Sequence, residues 1–427
     1  MRINKALPLN RRRLLIAVTG SIAAVKTPLL VSSLIKAGAE VRCLATPSAS
    51  NLVSPISLAT LSRNRCYLDK DQWNHLEPRP LHIELAEWAE LVVVAPLTAS
   101  TLSRWAQGSG EGLVASVLLA CECPIVAAAA MNTGMWSNQG VKDNWEKLKK
   151  DPKALCLEPS SGLLACDRNG EGRMVEPELI KLAISSALLQ SNDKGHLKRD
   201  WQNLKLLATA GPTLENLDPA RLITNRSSGR MGVLLAQAAR FRGADVDLVH
   251  GPLMVPEPWL EGLRRHPVKD SAGMQKILGK LQSSADAVSM AAAIADFRVQ
   301  GGGNTQKVEK KSLIPSLKNL EEVPDLLKEL SINKPAHQVL LGFAALTGND
   351  ESIKKIGKQK LLEKGCDLLM ANPIDRIGQG FEVDDNGGWL LGHQNMATSI
   401  KVTSKLELAH ALLNTLLEIK QKNSSKV

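Results

Sequence analysis

Residues 204–232 decide the fold: they run from the apolar segment Leu204 to Thr209 to the segment Thr224-Asn225-Arg226-Ser227-Ser228-Gly229-Arg230-Met231-Gly232. The apolar segment has the length and composition of a buried β-strand, and the second segment leads into the helical pattern Met231 to Gly243. A strand that is followed by a turn and a helix is one repeat of a parallel α/β sheet. Hydroxyls, backbone N–H groups and arginines at a helix start can hold a phosphate, although a flexible surface loop has a similar composition.

Strands and helices alternate in the same way through both halves of the chain. The pattern restarts after the polar stretch Ser191 to His196, where little can be buried. The predicted strands are Leu14–Thr19, Glu40–Ala45, Leu91–Ala95, Pro124–Ala130, Leu204–Thr209, Asp245–Val249, Ala287–Ala292, Gln338–Phe343 and Asp367–Ala371, and the predicted helices include Ala23–Ala37, Glu178–Gln190 and Met231–Gly243. We therefore predict an α/β protein with two Rossmann-like domains, 1–190 and 204–427, joined by a linker over 191–203. Each is expected to be a mostly parallel sheet flanked by helices, with ligands at the carboxyl ends of the strands.

Composition excludes several classes of protein. The chain has 427 residues, which is beyond the ~250–300 at which single cores usually split. No apolar run approaches the ~20 residues of a membrane span, and Leu14 to Val18 is too short for a signal peptide, so a cytoplasmic protein is expected. The seven cysteines form no Cys-x-x-Cys pair, so neither disulfides nor structural zinc are expected. The net charge of +10 comes with one tyrosine and four phenylalanines for base stacking. A basic surface that attracts phosphorylated small molecules is therefore favoured over nucleic-acid binding.

The first half offers four candidate functional elements. Gly20-Ser21-Ile22 turns from a strand into a helix and can hold a phosphate, or it can be an ordinary βα turn; it is not a dinucleotide-binding glycine fingerprint. His82 is a candidate base, although a lone histidine is often structural. Asn132 follows a buried strand, where its amide can bind a carboxylate or cap a helix, and Met131 beside it can line an apolar ligand. Cys166 lies in a glycine-flanked, partly charged segment where a reactive thiol can be positioned.

In the second half, polar residues follow several predicted strands. Small residues around Ala292 allow a planar base or a sugar to lie against the backbone, and Asp296 beyond them can reach a base edge or a ribose. Lys360 and Lys364 have the i, i+4 spacing of one helix face. A glycine-rich loop at 301–306 leads into the lysines Lys307, Lys310 and Lys311. No Gly-x-x-x-x-Gly-Lys-Ser/Thr sequence occurs, so an ordinary P-loop nucleotidase is excluded.

In their order, the motifs of the first half resemble the flavin-dependent cysteine decarboxylases, specifically the phosphopantothenoylcysteine decarboxylase half of the bifunctional coenzyme A biosynthesis family. These motifs are Gly20 to Ala24, His82 to Leu85, Ala95 to Ala99, Met131 to Trp136 and Gly162 to Cys166. The resemblance implies a flavodoxin-like domain that binds FMN through Gly20, Ser21, Ile22, Ala95, Pro96, Thr98 and Ala99. It also implies that His82 is the active-site base, that Asn132 holds the substrate carboxylate, and that Cys166 donates a proton when the flavin returns its electrons.

The second half resembles phosphopantothenate–cysteine ligase, the usual carboxyl-terminal partner of that decarboxylase, and the combined similarity covers roughly residues 12 to 415. The resemblance implies that CTP and Mg²⁺ activate 4′-phosphopantothenate as an acyl-cytidylate, which the amine of cysteine attacks. Asn225 would contact the acyl intermediate, and Lys310 would close on it, with Lys307 and Lys311 as alternatives. The nucleotide and substrate would be surrounded by Ser227, Ser228, Gly229, Ala292, Asp296, Pro324, Asp325, Leu326, Leu327, Phe343, Lys360 and Lys364.

Two other functions stay open at this point. One is a flavoprotein oxidoreductase or a prenyl-flavin-type enzyme that is fused to an unrelated nucleotide-binding domain. The other is a flavin-binding regulatory protein without catalytic activity, although this leaves the phosphate cradle of the second half unexplained. No metal ligands can be assigned from the sequence. The resemblance implies a homo-oligomer built from decarboxylase trimers and ligase dimers.

Overall fold

The computed structural model describes residues 9–74, 78–163, 169–309, 311 and 319–424. Its contacts divide the chain into two compact units, Met1–Lys198 and Arg199–Val427. Among the helices of the described residues, none combines the length and the apolar character that a membrane crossing requires.

The first unit is built on a six-stranded sheet whose neighbouring strands are all parallel. Its strands are β1 (Arg13–Val18), β2 (Glu40–Ala45), β3 (Cys66–Leu68), β4 (Leu91–Leu97), β5 (Ile125–Ala129) and β6 (Ala154–Leu157). They lie in the order β3-β2-β1-β4-β5-β6, which is the Rossmann order, in place of the 2-1-3-4-5 order of flavodoxins. The order reverses between β1 and β4, where Ile16 is paired with both Cys43 and Val93. Ligands bind at such a reversal, beyond the carboxyl ends of the strands.

Helices and one hairpin complete the first unit. The helices are α1 (Thr27–Lys36), α2 (Pro47–Ser50), α3 (Pro55–Ser62), α4 (Leu81–Trp88), α5 (Ala99–Gln107), α6 (Leu113–Ala120), α7 (Thr133–Trp136), α8 (Gln139–Lys149) and α9 (Pro177–Gln190), with 3-10 turns at Ile22–Lys26 and Asp69–Trp73. The antiparallel hairpin consists of β7 (Ser160–Leu163) and β8 (Asn169–Arg173). Helices that cover both faces of the sheet explain why every residue of β4 is buried.

Several predicted strand ends were wrong: the strand Ala287–Met290 was predicted to end at Ala292, the strand Val339–Leu346 was predicted to end at Phe343, and the fourth strand is also longer than predicted. The sequence places the end of the fourth strand at Ala95, before a proline, but β4 continues through a cis Ala95–Pro96 peptide to Leu97. The pairing with β5 is irregular between Val94 and Leu97. Because the regular ladder is already interrupted there, the N–H that proline lacks is not needed for sheet pairing.

The second unit repeats the same arrangement and extends it. Its strands are β9 (Lys205–Ala210), β10 (Glu215–Asp218), β11 (Arg221–Ile223), β12 (Asp245–His250), β13 (Arg264–Pro267), β14 (Ala287–Met290), β15 (Phe297–Val299), β16 (Leu320–Glu322), β17 (Val339–Leu346), β18 (Leu368–Pro373), β19 (Asp385–Gly392) and β20 (Ala397–Ser404). The main sheet has the order β13-β12-β9-β14-β17-β18-β19-β20, in which only β19 and β20 run antiparallel to their neighbours. Two small hairpins, β10–β11 and β15–β16, stand apart from it. The predicted fold class, α/β with two Rossmann-like domains on mostly parallel sheets, is therefore confirmed for both halves, and the first sheet has the Rossmann strand order.

The helices of this unit are α10 (Arg230–Phe241), α11 (Ser271–Leu281), α12 (Leu326–Ile332), α13 (Asp350–Lys364) and α14 (Lys405–Ser424), with 3-10 turns at Glu257–Leu260 and Gln282–Ser284. Helix α10 packs against β9 at Gly232, where a β-carbon would lie 2.2 Å from the carbonyl oxygen of Thr209. Only glycine permits this approach, so Gly232 brings the start of α10 close to the carboxyl end of the first strand.

A buried carboxylate joins three strands of the second unit. Asp247 of β12 has a side chain that is 2% exposed, and it accepts hydrogen bonds from Arg264 Nε at 2.9 Å and His266 Nε2 at 2.8 Å, with Lys205 Nζ at 3.0 Å. Burial raises the pKa of Asp247, but the bonds from Arg264, His266 and Lys205 more than offset this and hold its pKa well below the usual range. The stability that Asp247 contributes is therefore present above its unfolded pKa and lost as the pH falls toward the lowered value.

We expect Asp247→Asn to reduce the free energy of unfolding by about 3 kcal/mol at pH 7, because it leaves the cations of Arg264 and Lys205 facing a neutral amide and weakens the hydrogen bond with His266. Denaturant titration followed by tryptophan fluorescence measures the loss. Asp245→Asn is the matched control: Asp245 also pairs with Arg264, but its side chain is 57% exposed, so its loss should cost less than about 1 kcal/mol. Equal effects of the two substitutions would contradict the assignment of Asp247 as the structural anchor.

Candidate active sites

A cavity of about 580 Å³ opens at the carboxyl ends of the strands of the first unit. This volume lies in the range of about 300–1,000 Å³ that is typical of small-molecule pockets. Six of the predicted residues line it: Gly20, Ser21, Thr98, Ala99, Met131 and Asn132. The predicted residues Ile22, Ala95 and Pro96 do not belong to its lining, nor does His82. Cys166 lies outside the described residues.

The turn after β1 is built to bring backbone close to a ligand. Ser21 caps the 3-10 helix Ile22–Lys26, and its hydroxyl accepts a hydrogen bond from the N–H of Ala23 at 3.4 Å. A β-carbon on Gly20 would lie 2.4 Å from Cβ of Ser48, so no larger residue fits without a shift of the turn. Backbone N–H groups, a hydroxyl and a close approach of main chain are the elements of a phosphate-binding turn.

Two buried threonines hold the Ala95–Thr98 segment against this turn. Thr19 Oγ1 donates to the carbonyl oxygen of Pro96 at 2.7 Å and accepts from the N–H of Thr98 at 3.1 Å, while Thr27 Oγ1 donates to the carbonyl oxygen of Ala95 at 2.8 Å. Neither threonine was singled out from the sequence. A polar residue at the end of an apolar strand is the only signal that could have pointed to Thr19.

Asn132 caps the short helix α7, because its Oδ1 accepts a hydrogen bond from the N–H of Gly134 at 2.8 Å. The same residue lines the cavity, so the capping role and a role toward a ligand are compatible. The N–H of Met131 donates to the carbonyl oxygen of Gly172 at 3.0 Å. This bond attaches the β7–β8 hairpin to the cavity wall, and Cys166 lies between those two strands in the sequence.

His82 occupies the first turn of α4 and is partly buried. Its Nδ1 atom is buried and has no hydrogen-bond partner within the described part of the chain. A buried ring nitrogen without a partner is costly in a purely structural role. The geometry of one chain does not bring His82 to the cavity, and its role as a base stays a prediction.

A second cavity, of about 890 Å³, lies in the second unit. Thirteen predicted residues from separate segments of the chain all line it: Asn225, Ser227, Ser228, Gly229, Ala292, Asp296, Pro324, Asp325, Leu326, Leu327, Phe343, Lys360 and Lys364. They stand on the turn before α10 and on segments that follow or flank the central strands β14 and β17. The chain therefore gathers these residues at the edge of the sheet where ligands of this fold bind.

A network of hydrogen bonds fixes two walls of this cavity to each other. Asn225 Nδ2 donates to the carbonyl oxygen of Ile294 at 2.9 Å, and Thr224 Oγ1 donates to the carbonyl oxygen of Thr213 at 2.9 Å. Thr213 in turn accepts at Oγ1 from the N–H of Ala295 at 3.0 Å. The Ser227 hydroxyl accepts from the N–H of Gly229, and the Ser228 hydroxyl accepts from the N–H of Arg230. The Ser227–Gly229 cradle, which is the segment predicted to hold a phosphate, is thus linked through Asn225 to the Ala292–Asp296 segment.

Lysines of α13 stand beside the carboxylate that caps α12. Asp325 Oδ1 accepts from the N–H of Lys328 at 3.1 Å and its other oxygen pairs with Lys364. Lys360 lies one helical turn before Lys364 and also lines the cavity. Both ammonium groups are available to a polyphosphate, Lys364 by exchange of its carboxylate partner.

The sequence prediction missed several residues of the same cavity, among them Asn372, Asn386 and Lys405, whereas Arg230 belongs to the segment that was predicted to hold a phosphate. Lys405 is 4% exposed. Its ammonium donates to the carbonyl oxygens of Gly380 at 3.1 Å and Val383 at 2.6 Å. Burial and the nearby charge of Arg230, opposed in part by Asp385, lower the pKa of Lys405 to about 8.

Of the three loop lysines, Lys310 lies outside the described residues, while Lys307 and Lys311 are exposed. The backbone directly after Lys307 is held by Asp218, whose Oδ2 accepts from the N–H of Val308 at 3.2 Å and pairs with Arg221 Nε at 3.2 Å. No group of three or more histidine, cysteine, aspartate or glutamate side chains suited to a metal occurs among the described residues.

Comparisons with known proteins give the same division of the chain. A model of the Flavoprotein family matches residues 3–188, and a model of the DNA/pantothenate metabolism flavoprotein C-terminal domain matches residues 201–419. The coenzyme A biosynthesis bifunctional protein CoaBC of Bacillus subtilis is 34% identical over 98% of this chain and 100% of that protein. The protein of the same description from Haemophilus influenzae is 35% identical over 97% and 99% of the two chains.

Two solved structures are each similar in sequence to part of the chain. A mutant PPC decarboxylase complexed with pantothenoylaminoethenethiol is 33% identical and covers 41% of this chain and 97% of its own, with a TM-score of 0.39. The C-terminal domain of a CoaBC protein is 28% identical over 53% of this chain and 100% of its own, with a TM-score of 0.43. The similarity to these CoaBC proteins extends over nearly the whole chain, and each of the two family models matches one half, in agreement with the two cavities. The chain therefore belongs to the family of bifunctional coenzyme A biosynthesis proteins, with a flavoprotein decarboxylase domain followed by a ligase domain.

Proposed function

We propose that the chain joins cysteine to 4′-phosphopantothenate at the expense of CTP and then decarboxylates the product to 4′-phosphopantetheine with the help of FMN. The observation that carries this proposal is the cavity of the second unit, because thirteen residues predicted to surround an acyl-cytidylate all line it. The family of the chain supports both activities.

In the ligase half, each wall of the cavity has a distinct task. Lys360 and Lys364 neutralise the triphosphate, while Ala292 and Asp296 receive the base and the ribose. The substrate carboxylate attacks the α-phosphorus, pyrophosphate leaves, and the amine of cysteine then attacks the acyl carbon with release of CMP. Asn225 donates an amide N–H to the carbonyl oxygen as negative charge develops on it. Mg²⁺ would enter bound to the triphosphate, as is usual for this ion in enzymes that use nucleoside triphosphates.

The ligase proposal is tested by pyrophosphate release from the purified full chain with CTP, Mg²⁺, 4′-phosphopantothenate and cysteine. Formation of phosphopantothenoylcysteine in equal amounts should accompany the pyrophosphate, and omission of the acid should abolish both. Release that is equally fast without 4′-phosphopantothenate would identify a nucleotide hydrolase instead.

In the decarboxylase half, the residues around the first cavity fit FMN. The Gly20–Ser21 turn, whose close approach leaves no room for a β-carbon, would hold the phosphate, and the Thr98–Ala99 segment would lie beside the ring system. When bound, FMN supplies the two-electron oxidation of the substrate thiol that allows the carboxylate to leave as CO₂. Asn132 orients that carboxylate, His82 accepts a proton, and Cys166 returns one when the product is reduced.

We expect Gly20→Ala to weaken FMN binding about tenfold or more, because the new methyl group would overlap Cβ of Ser48 and displace Ser21. Fluorescence titration of the apoprotein with FMN measures the change. Gly140→Ala is the control: its β-carbon would meet only Asn138 Oδ1, at 3.4 Å, so FMN affinity should stay within about twofold. Unaltered affinity in Gly20→Ala would remove this turn from the flavin site.

We further propose that the enzyme acts as a homo-oligomer in the cytoplasm. Exposed apolar side chains on the helical segment after β1 support an association surface, since Ile22 is 56%, Val25 53% and Leu29 66% exposed. Such a patch is unusual on a monomer. Light scattering of the purified protein tests the assembly, and a monomer at micromolar concentration would contradict it.

A further inference from the structure

Two cations of the ligase cavity have no task in the reaction described above. Arg230 is the first residue of α10 and Lys405 is the first residue of α14, and both side chains line the cavity. Lys405 is almost completely buried, with 4% of its surface exposed. Buried lysines are rare unless they are paired, so this placement requires an explanation.

Both positions are electrostatically unfavourable in the absence of an anion. The amino end of a helix carries a partial positive charge, which disfavours a cation in the first turn. The two cationic side chains also repel each other. Burial and the charge of Arg230 lower the pKa of Lys405 to about 8, although the carboxylate of Asp385 opposes this shift. An anion placed near both groups would relieve all of these costs at once.

The present partners satisfy the two cations only in part. Lys405 Nζ donates to two carbonyl oxygens, of Gly380 and Val383, and Arg230 pairs with Asp384 of the same loop. The side chain of Asp384 is 78% exposed, so this carboxylate can leave at little cost. Arg230 Nε is buried and has no hydrogen-bond partner within the described residues. The site therefore has donors left for an incoming acceptor.

We propose that Arg230 and Lys405 form a phosphate-monoester subsite of the ligase cavity and that its ligand is the phosphate of 4′-phosphopantothenate. This inference rests on the proposed ligase function. Arg230 lies five residues after Asn225, which is assigned to the acyl group, and directly follows the Ser227–Gly229 segment that was predicted to hold a phosphate, whereas the triphosphate has its own cations in Lys360 and Lys364. Asn372, Asn386 and Phe381 line the same cavity and match the amide, hydroxyl and methyl groups of the pantoyl chain.

The test replaces Lys405 by methionine, which keeps the apolar stem and removes the charge. We expect the affinity for 4′-phosphopantothenate to fall at least tenfold, while the inhibition constant of pantothenate, which lacks the phosphate, changes less than threefold. The KM for CTP should also change less than threefold. Equal losses for phosphorylated and unphosphorylated ligands would show that Lys405 only supports the loop. A loss confined to CTP would assign the subsite to the nucleotide phosphates, and either result would overturn the proposal.

Two further measurements keep the proposal testable if Lys405→Met folds poorly. In the wild-type chain, the preference for 4′-phosphopantothenate over pantothenate should decline as the pH rises from 7 to 9, because Lys405 loses its charge while the phosphate stays dianionic. Lys405→Arg should retain the preference at pH 9. The charged groups beside Lys405 are Arg230, Asp384 and Asp385. A preference that is constant with pH in the wild type would contradict the subsite.

Lys355→Met is the matched control, since Lys355 is exposed on α13 and does not line the cavity. Lys355→Met should leave the affinities for 4′-phosphopantothenate and pantothenate and the KM for CTP unchanged. A loss of affinity as large as that in Lys405→Met would show that the effect comes from the net charge of the protein and not from a specific site. A wild-type chain that forms no amide would refute the ligase function itself. If the wild-type chain forms the amide and Lys405→Met prefers 4′-phosphopantothenate over pantothenate as strongly as the wild type does, only the subsite is refuted.

Discussion

Asn225→Asp is expected to slow the conversion of acyl-cytidylate to the cysteine amide about a hundredfold, because one donor to the developing oxyanion is worth about 3 kcal/mol in the transition state. An aspartate has no N–H to donate and adds negative charge next to a phosphate. The structure adds a second, smaller consequence, since Asn225 Nδ2 also donates to the carbonyl oxygen of Ile294 at 2.9 Å. Loss of this neutral hydrogen bond costs about 1 kcal/mol, or roughly fivefold, in the positioning of the nucleotide wall.

The two consequences are separated by rapid-quench trapping of the cytidylate with and without cysteine. We expect adduct formation to fall less than tenfold and the amide-forming step to fall about a hundredfold. Thr224→Val is a suitable control, because it removes the neighbouring bond to the Thr213 carbonyl oxygen and leaves Asn225 in place. If Asn225→Asp slows only adduct formation, to the same degree as Thr224→Val, Asn225 shapes the loop and does not act on the acyl group.

Cys166→Ser is expected to abolish formation of 4′-phosphopantetheine while FMN stays bound and CO₂ is still released. The thiol is assigned only to the protonation that accompanies reduction, and serine is too weak an acid to replace it. An oxidised enethiol product should therefore accumulate, one equivalent per reduced flavin. Anaerobic stopped-flow absorbance and mass spectrometry of the products measure both quantities.

Cys156→Ser is the control for this experiment, since Cys156 lies in β6 and does not line the cavity. It should form 4′-phosphopantetheine at the wild-type rate. If Cys166→Ser binds FMN but releases no CO₂, then the thiol acts before decarboxylation and its assigned role is wrong.

The central parallel strands were predictable from the sequence because each is a short apolar run that is buried on both faces. The parallel strands β3, β6 and β13 were not predicted, and β13 is polar and mostly exposed. Glu40–Ala45 is observed with the predicted bounds, and Leu204–Thr209 is shifted by one residue to Lys205–Ala210. The antiparallel strands β19 and β20 were not predicted. Their sequences contain Gly387-Gly388 and many polar residues, and β20 is mostly exposed. Their pairing depends on contacts with β18 that no local pattern records.

The residues of the candidate sites were also only partly predictable from the sequence. The Gly20–Ser21 turn and the Ser227–Gly229 cradle were recognisable because glycine and hydroxyl residues at a strand-to-helix turn carry a local signal. Lys405 carries none, since a lysine after a polar strand has the composition of a surface residue. Its burial follows from the packing of α14 on α10, where Arg242 donates to the carbonyl oxygen of His410 at 3.2 Å. The hydrophobic periodicity of the sequence does not predict long-range packing of this kind.

The central claim, that one chain carries out both reactions, is tested most directly by supplying the FMN-loaded full chain with 4′-phosphopantothenate, carboxyl-labelled cysteine, CTP and Mg²⁺. We predict that labelled CO₂ and 4′-phosphopantetheine appear in equal amounts, that both require CTP, and that phosphopantothenoylcysteine precedes them. Accumulation of phosphopantothenoylcysteine without labelled CO₂, or decarboxylation of free cysteine without CTP, would contradict the account.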